Sequence, residues 1–308
     1  MKNIFKKIII ASSLLGLVFF YGCSEDDVLP IDVVVPNIDI SLSATTSDGT
    51  TLVDGGNVSA ADSFSIVISI TAEAGFNTLN TSGDVASSTI NRNDLDIASG
   101  TTNAEVTLTV STSNSLGDGS IDFEAVDEEG NTANASFSFV VVSPAAKIQT
   151  AVMLYAPLGD SSSQTFYSIA NNQTYSLGNV ISTSDPVSAS IDFGYYYGSS
   201  DNAALASPAE YTIYDLSAWG SQNVTTLAVT TITSAEYLEM VSVSDIETAL
   251  AGVDVTDANG TITNLSANDI LMFKTVDNVQ GLIHVSTITG TDGSDGMIEL
   301  EMKLAASE

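Results

Sequence analysis

Basic residues are scarce in this sequence. Its 308 residues include seven Lys and Arg against 38 Asp and Glu, so the formal net charge at pH 7 is −31. Proteins that bind nucleic acid need clustered Lys or Arg to neutralise phosphates. A chain this acidic repels polyanions, which excludes nucleic acid as a partner. The same charge favours solubility, weak self-association and some affinity for divalent cations.

Cysteine and histidine each occur once, as Cys23 and His284. A single cysteine cannot form an intrachain disulfide or a thiolate metal site. Catalytic zinc sites take two or three histidines or thiolates, so zinc catalysis has no support. A Ser–His–Asp arrangement would have to use His284, and no Gly-x-Ser-x-Gly segment accompanies it. We predict a surface or structural histidine and no catalytic residue.

The apolar run at the start of the chain is too short for a transmembrane helix. Three lysines within residues 2–7 precede the run, which extends from Ile8 to Tyr21. A spanning helix needs ~20 consecutive apolar residues. A basic segment followed by a short apolar run is typical of a secretory signal peptide, with cleavage expected just after it.

The residues around Cys23 resemble the lipobox of bacterial lipoproteins. In that motif a small residue, here Gly22, precedes a cysteine that is lipidated and becomes the mature N-terminus. The usual Leu and small residue further upstream are replaced by Phe20 and Tyr21. The resemblance implies a signal peptide at 1–22, acyl chains such as palmitate on the cysteine, and attachment to a membrane through this lipid anchor. The alternative is an ordinary signal peptide that contains a thiol.

An acidic segment follows the cysteine directly. Ser24, Glu25, Asp26 and Asp27 look like the export tag of Bacteroidota lipoproteins that are displayed on the outer leaflet. The resemblance implies an outer-membrane protein at the cell surface. The alternative is a solvated acidic linker, which most charge runs are. Removal of the leader also removes its three lysines, so the formal charge changes from −31 to −34.

The next residues predict a tether and then a β-sandwich. Residues 23–36 form the tether, because Pro30 and Pro36 favour an extended chain. Apolar and polar residues then alternate in short segments separated by Gly, Asn, Asp and Ser, which indicates about seven strands over residues 37–143. The alternating apolar positions are Ile38, Ile40 and Leu42; Phe64, Ile66, Ile68 and Ile70; Val106, Leu108 and Val110; Ile121, Phe123 and Ala125; and Phe137, Phe139 and Val141.

The last hairpin of this region carries a further resemblance. Phe123 to Ala133, with its turn Glu129-Gly130-Asn131, and the following Phe137-Ser138-Phe139 look like the closing strands of bacterial immunoglobulin-like domains. The resemblance covers residues 37–142. It implies an immunoglobulin-like sandwich that serves as a spacer or a binding platform, and it identifies no ligand.

Residues 147–308 are predicted to form a second, mostly β domain after a boundary at Ser143 to Ala146. Two capping-box spacings, Thr233 with Glu236 and Ser244 with Glu247, predict two short helices. The predicted fold is therefore all-β: an N-terminal immunoglobulin-like β-sandwich plus a second mostly β domain with two short helices.

The end of the second region is predicted to be a three-stranded meander. Its strands cover Ile270 to Thr275, Leu282 to Ile288 and Met297 to Leu304. The alternation predicts Ile298, Leu300, Met302 and Leu304 facing the core, and Glu299, Glu301 and Lys303 facing outward. His284 is expected to point outward as well, near Glu299 or Glu301.

Several segments of this region resemble a group of uncharacterised surface lipoproteins. The resemblance implies architecture and location, and no activity. The matching segments include Phe166-Tyr167-Ser168, Tyr175-Ser176-Leu177, Ile191 to Gly198, Leu205 to Pro208, Asp269 to Thr275 and Gly281-Leu282-Ile283.

The aromatic run Tyr195, Tyr196 and Tyr197 is the candidate ligand platform. In a strand the first and third rings share one face and the second takes the other, so at least one ring is expected to be accessible. Exposed rings suit stacking on sugars, and Trp219 extends such a surface. The alternative is that these rings fill the core, as strand aromatics usually do.

No cofactor is predicted, with calcium as the one candidate ion. Asp292 and Asp295, in the segment up to Gly296, and the segment Asn91 to Asp96 place oxygen ligands in turns, as hard cations require. Neither follows the spacing of an EF-hand. The alternatives are a plain hairpin turn for the first and a polar strand edge for the second.

The sequence favours a non-catalytic binding protein whose partner is a glycan or an envelope protein. Two alternatives stay open. One is a structural component of the envelope without a small ligand. The other is a carboxylate-dependent glycoside hydrolase, because glycoside hydrolysis requires only two suitably spaced carboxylates and the sequence cannot choose a pair among 38 acids.

We predict that Cys23→Ser abolishes lipid attachment, because serine has no thiol to acylate. In a bacterium that processes lipoproteins, the variant should incorporate no labelled palmitate and should leave the membrane fraction. Gly22→Ala is the control, since it keeps a small residue before the cysteine and should be labelled like the wild type. Equal labelling of Cys23→Ser and the wild type would contradict the prediction.

Overall fold

The computed structural model describes residues 37–180, 187–254, 258–291, 293 and 295–307. The predicted signal peptide, the lipidated Cys23, the acidic segment 24–27 and the tether to residue 36 lie outside the described residues, as does Asp292. No helix in the described part is long and apolar enough to cross a bilayer.

Residues 38–142 form nine strands in two sheets within the described part of the chain. One sheet has the order β2-β1-β4-β7 and the other β3-β9-β8-β5-β6. The pairings are antiparallel except that of β3 with β9, which is parallel. The strands are β1 (Ile38–Thr46), β2 (Thr51–Leu52), β3 (Gly56–Ser59), β4 (Ser63–Ala72), β5 (Phe76–Gly83), β6 (Ser88–Asn91), β7 (Asn103–Ser111), β8 (Gly117–Asp127) and β9 (Thr132–Val142).

One hydrophobic core lies between these two sheets. It is built from alternate residues of each strand, such as Ile66 and Ile68 on β4 and Ile121 and Phe123 on β8. The alternation that predicted the strands therefore also selects the buried face. The turn predicted at Glu129-Gly130-Asn131 joins β8 to β9.

Residues 146–307 form two further sheets and three short α-helices within the described residues. The sheets have the orders β10-β19-β18-β17-β15 and β12-β11-β13-β14-β16. The elements are β10 (Ala146–Tyr155), β11 (Gln164–Ser168), β12 (Gln173–Ser176), α1 (Leu177–Val180), β13 (Phe193–Gly198), β14 (Asn202–Ala206), β15 (Thr226–Val229), α2 (Ser234–Glu239), α3 (Val243–Ala251), β16 (Thr261–Ile262), β17 (Ile270–Lys274), β18 (Gln280–Thr289) and β19 (Met297–Ser307).

Both sheets of this part are covered on two faces. Their inner faces share a core that includes Phe193 and Leu300. The outer face of the sheet containing β13 packs against residues of the following loop, such as Tyr211. The outer face of the sheet containing β19 packs against α2 and α3 through Tyr237 and Ile246. The all-β prediction is confirmed, with the helices confined to short covering segments.

The helix predictions are correct for one cap and incorrect for the other. α2 begins after Thr233, which forms the predicted capping box with Glu236. α3 begins after Ser242 rather than Ser244, and its capping partner is Asp245 rather than Glu247. Ser242 has an extended backbone, as an N-cap residue requires. α1 is an additional four-residue helix that the sequence pattern did not predict.

Lys303 does not face solvent as predicted, since its exposure is 4 %. Its Nζ donates to the carbonyl oxygens of Tyr237 at 2.7 Å and Met240 at 2.9 Å. The Lys303 Nζ also lies 4.4 Å from the centre of the Tyr237 ring. The helices cover this face of β19, and the carbonyl groups at the end of α2 attract a cation.

We predict that Lys303→Met destabilises the protein, because a buried carbonyl group, that of Tyr237, and a partly buried one, that of Met240, lose a charged donor. The expected loss in the free energy of unfolding is about 2–4 kcal/mol, measured by urea denaturation. Lys147→Met on the neighbouring strand β10 is the matched control and should cost much less. A similar loss in both variants would show that Lys303 contributes no more than a solvated lysine.

Candidate functional site

A cleft of about 210 Å³ opens where three connections of the C-terminal part meet. These are the β11–β12 turn, the residues that precede β13 and the β17–β18 turn. The polar groups of the cleft are Ser190, Asp192, Thr275 and Asp277, and aliphatic walls come from residues such as Ile169 and Val279.

The local sequence places Asp192 at the bottom of this cleft. Its neighbours Ile191 and Phe193 are fully buried, and they belong to the cores on opposite faces of the sheet. The backbone N–H of Asp192 donates to the carbonyl oxygen of Tyr167 at 2.9 Å, just before β13 begins. As a result the acidic residue is held inside the protein, with an exposure of 6 %.

A buried chain of hydrogen bonds connects Asp192 to β10. The Ile169 N–H donates to Asp192 Oδ2 at 2.7 Å, and the Ile169 carbonyl accepts from Gln149 Nε2 at 2.7 Å. Gln149 Oε1 lies 3.0 Å from the Tyr167 hydroxyl, which lies 2.6 Å from Asn172 Oδ1. These contacts fix the turn that forms one wall of the cleft.

Asp192 has an electrostatic environment that disfavours its charge. Burial raises the pKa of this carboxyl to about 6; the hydrogen bond from Ile169 opposes the shift and the charge of Asp277 adds to it. Asp127 is also buried, and burial opposes its ionisation too. Asp127, however, accepts hydrogen bonds from Asn131 Nδ2 and from the backbone N–H groups of Asn131 and Glu129, and its pKa is lowered.

Asp192 has no basic partner among the residues that the structure describes. The one ion pair in the described part of the chain joins Arg92 to Glu128 at 3.2 Å. Lys303 donates to backbone carbonyl groups instead. The Ile169 N–H is also the one hydrogen-bond donor to the Asp192 carboxylate in the described part. A buried carboxylate with one hydrogen bond and no cationic partner is costly in free energy when it is ionised.

The chemistry of the cleft suits a polar or cationic ligand group. An ionised Asp192 accepts hydrogen bonds and attracts positive charge, whereas its protonated form can donate a proton. A metal centre has less support, because the described residues contain no group of three or more His, Cys, Asp or Glu side chains placed to hold a metal ion. Perturbed carboxyl groups in clefts are frequently functional.

The predicted aromatic platform requires a correction. Tyr195 and Tyr197 do lie on one side of β13 and Tyr196 on the other. However, Tyr195, Tyr196 and Trp219 are buried, and Tyr197 is partly buried against the inner core. Both faces of the sheet are covered, so Tyr195, Tyr196 and Trp219 fill the cores, and Tyr197 alone of the four is partly exposed. Trp219 packs edge-on against Phe166, with ring centres 4.9 Å apart.

His284 is half-buried and lies against Tyr237 of α2. It pairs across the strands with Glu301, one of the two predicted neighbours. Its ring centre lies 5.3 Å from that of Tyr237, and burial lowers its pKa. These contacts fit a structural histidine.

The two calcium candidates form turns in the described residues. The segment Asn91 to Asp96 contains a short 3₁₀ helix, Arg92–Leu95, rather than a plain strand edge. Asp94 accepts the Asn91 N–H at 3.0 Å and so serves as a cap. Asp295 Oδ1 lies 3.3 Å from the Thr291 nitrogen in the β18–β19 turn.

Asp192 was not among the predicted site residues. The available signal was its position as a lone acid between two large apolar residues, Ile191 and Phe193, at the start of a strand. Its partner Ile169 is 23 residues away and its neighbour Asp277 lies on a different sheet connection, which no local pattern indicates.

The architecture defines an all-β protein with several antiparallel sheets and short covering helices. The sequence matches no protein-family model and no curated protein. The feature of the chain that bears most directly on function is the cleft around Asp192.

We predict that Asp192→Asn changes how stability depends on pH. The folded pKa of about 6 lies above the ordinary value of 3.8, so this group favours folding below about pH 4 and loses that contribution as the pH rises through 6. The variant should therefore gain about 2–3 kcal/mol relative to the wild type between pH 4 and pH 7.5. Urea denaturation at several pH values measures the difference.

Glu129→Gln is the charge-matched control for this experiment, because Glu129 is exposed in the β8–β9 turn. Its stability difference from the wild type should change little over the same pH range. A pH-independent difference for Asp192→Asn would show that Asp192 titrates like an ordinary solvated carboxyl.

Proposed function

We propose that this chain is an exported lipoprotein of the bacterial outer membrane that binds a ligand at the cell surface without converting it. In this proposal, acyl chains on Cys23 form the anchor and the segment 24–27 directs the protein to the outer leaflet. Two or more acyl chains give stable attachment where one is marginal. Residues 37–143 act as an immunoglobulin-like spacer, and residues 147–308 bind a glycan or a protein.

The observation that carries the binding part of the proposal is the Asp192 cleft. A carboxylate that is buried without a basic partner in the described residues costs free energy, and an apolar residue there would avoid this cost. The cleft opens to the surface and combines polar groups with aliphatic walls, which is the usual composition of a ligand site. We infer that the charge is retained for contact with a ligand.

The carboxylate-dependent glycoside hydrolase is the second candidate function. Its supporting observation is the pKa of Asp192, raised by burial to about 6, because a general acid in such enzymes needs a raised pKa. Asp277, whose charge contributes to that shift, would be the second carboxylate. A hydrolase and a binding protein differ in turnover, which one assay can measure. A structural envelope component would bind no small ligand.

We predict that binding by the full-length protein, purified in detergent micelles, depends on Asp192. On an array of defined glycans and defined peptides, a ligand retained by the wild type should bind at least about tenfold more weakly to Asp192→Asn, since one charged contact is worth about 1.4 kcal/mol or more. Glu129→Gln should bind like the wild type.

Two other outcomes would replace the proposal. If the wild type retains no component of the array, the structural role gains support. If the wild type releases sugar from a bound glycan and Asp192→Asn does not, the protein is a hydrolase with Asp192 as a catalytic residue. Retention of fold in each variant is checked by its unfolding transition.

A further inference from the structure

The charge of the Asp192 cleft restricts the chemical class of ligand that it can bind. The cleft contains two carboxylates, and no basic residue is among its lining residues in the described structure. The four basic residues beyond the leader are Arg92, Lys147, Lys274 and Lys303, in a chain whose net charge is −31. A compensating cation therefore comes most readily from another molecule, and the acidic surface attracts a basic one.

The size of the cleft limits how much of that molecule can enter. Its volume of about 210 Å³ lies below the ~300–1,000 Å³ of pockets that enclose drug-sized ligands. It therefore holds an end group rather than a whole ligand. The walls that Ile169 and Val279 contribute suit an aliphatic stem behind a charged tip.

The hydrogen-bond pattern favours an ammonium group over a guanidinium group. A guanidinium binds a carboxylate best through two parallel hydrogen bonds, one to each oxygen. Asp192 Oδ2 already accepts the Ile169 N–H, which competes with the second of these bonds. An ammonium is a compact charge with three donors, which can be shared between Asp192 Oδ1, a hydroxyl of the cleft and Asp277.

Calcium fits the cleft less well than an ammonium. It takes six to eight oxygen ligands. The cleft supplies two carboxylates and the hydroxyls of Ser190 and Thr275, beside aliphatic walls. The Thr275 hydroxyl also accepts the Val279 N–H at 3.1 Å, and the Ser190 hydroxyl donates to the Val187 carbonyl at 2.8 Å.

We propose that the cleft binds a primary ammonium group at the end of an aliphatic stem, as in a lysine side chain presented by a partner protein. This inference rests on the proposed binding function and specifies its ligand class. Asp192 is the charged contact at the bottom of the cleft, and Asp277 lies at its exposed rim. The aliphatic stem of the ligand contacts the side chains of Ile169 and Val279, so both the charge and the stem contribute to affinity.

The test is calorimetric titration of the full-length protein in detergent micelles with Nα-acetyl-lysine methylamide. The norleucine counterpart lacks the amine, and the arginine counterpart replaces it with guanidinium. The lysine probe should bind at least tenfold more tightly than either. Asp192→Asn should reduce its affinity at least tenfold, whereas Glu129→Gln should change it less than twofold.

The dependence of binding on pH supplies a second readout. The titratable groups that interact with Asp192 in the described structure are Asp277, at the rim, and Tyr167, which keeps its proton throughout the range. Because Asp192 is ionised above about pH 6 and neutral below it, affinity for the lysine probe should fall about tenfold from pH 7 to pH 5. Asp192→Asn should remove most of this dependence.

Each remaining outcome overturns the inference in a distinguishable way. Tighter binding of glucosamine than of the lysine probe would assign the cleft to amino sugars. Binding of calcium chloride that is lost in Asp192→Asn would assign it to a metal ion. If no probe binds while the array finds an Asp192-dependent ligand, the binding function stands and the ammonium assignment fails. If neither experiment detects binding, both fail.

Discussion

Carboxylates in this protein are stabilised mainly by hydrogen bonds from backbone N–H groups and hydroxyls, because few basic side chains are available. Glu236 and Asp245 cap the helices α2 and α3, and Asp94 caps a 3₁₀ helix. Asp127 holds the β8–β9 turn through two bonds from backbone N–H groups and one from the side-chain amide of Asn131. The acids therefore determine where helices begin and where strands reverse. Against this pattern Asp192 is the exception, since it is buried with a single donor in the described residues.

The second constraint is that both sheets of the C-terminal part are covered on two faces. A strand that is buried on both sides needs apolar residues at successive positions rather than at alternate ones. This explains the composition of β13, where Phe193, Tyr195 and Tyr196 are all buried. It also explains the position of Lys303, whose charge is satisfied by the helix that covers its strand.

The sequence predicted strands and a helix start, which depend on neighbouring residues. It did not predict contacts between residues that are far apart in the chain. Alternating apolar residues located β4 and β19, and a capping box located the start of α2, because these signals are contained within a few residues. The contacts of Lys303 with Tyr237 and of Asp192 with Ile169 join residues 66 and 23 positions apart. Period two correctly divided the tyrosines of β13 between two faces, but it carried no information on what covers each face.

The place of β19 in its sheet has a consequence for how the chain matures. β19 is the last strand in chain order, yet it lies between β10 and β18 and is the partner of β10 in that sheet. Its pairing with β10 closes a loop of more than a hundred residues, which is entropically costly and slow. β10 therefore stays without its partner strand until residues 297–307 are available to pair with it. Until then β18 also lacks its neighbour on that side, and an unpaired strand edge of this kind favours aggregation.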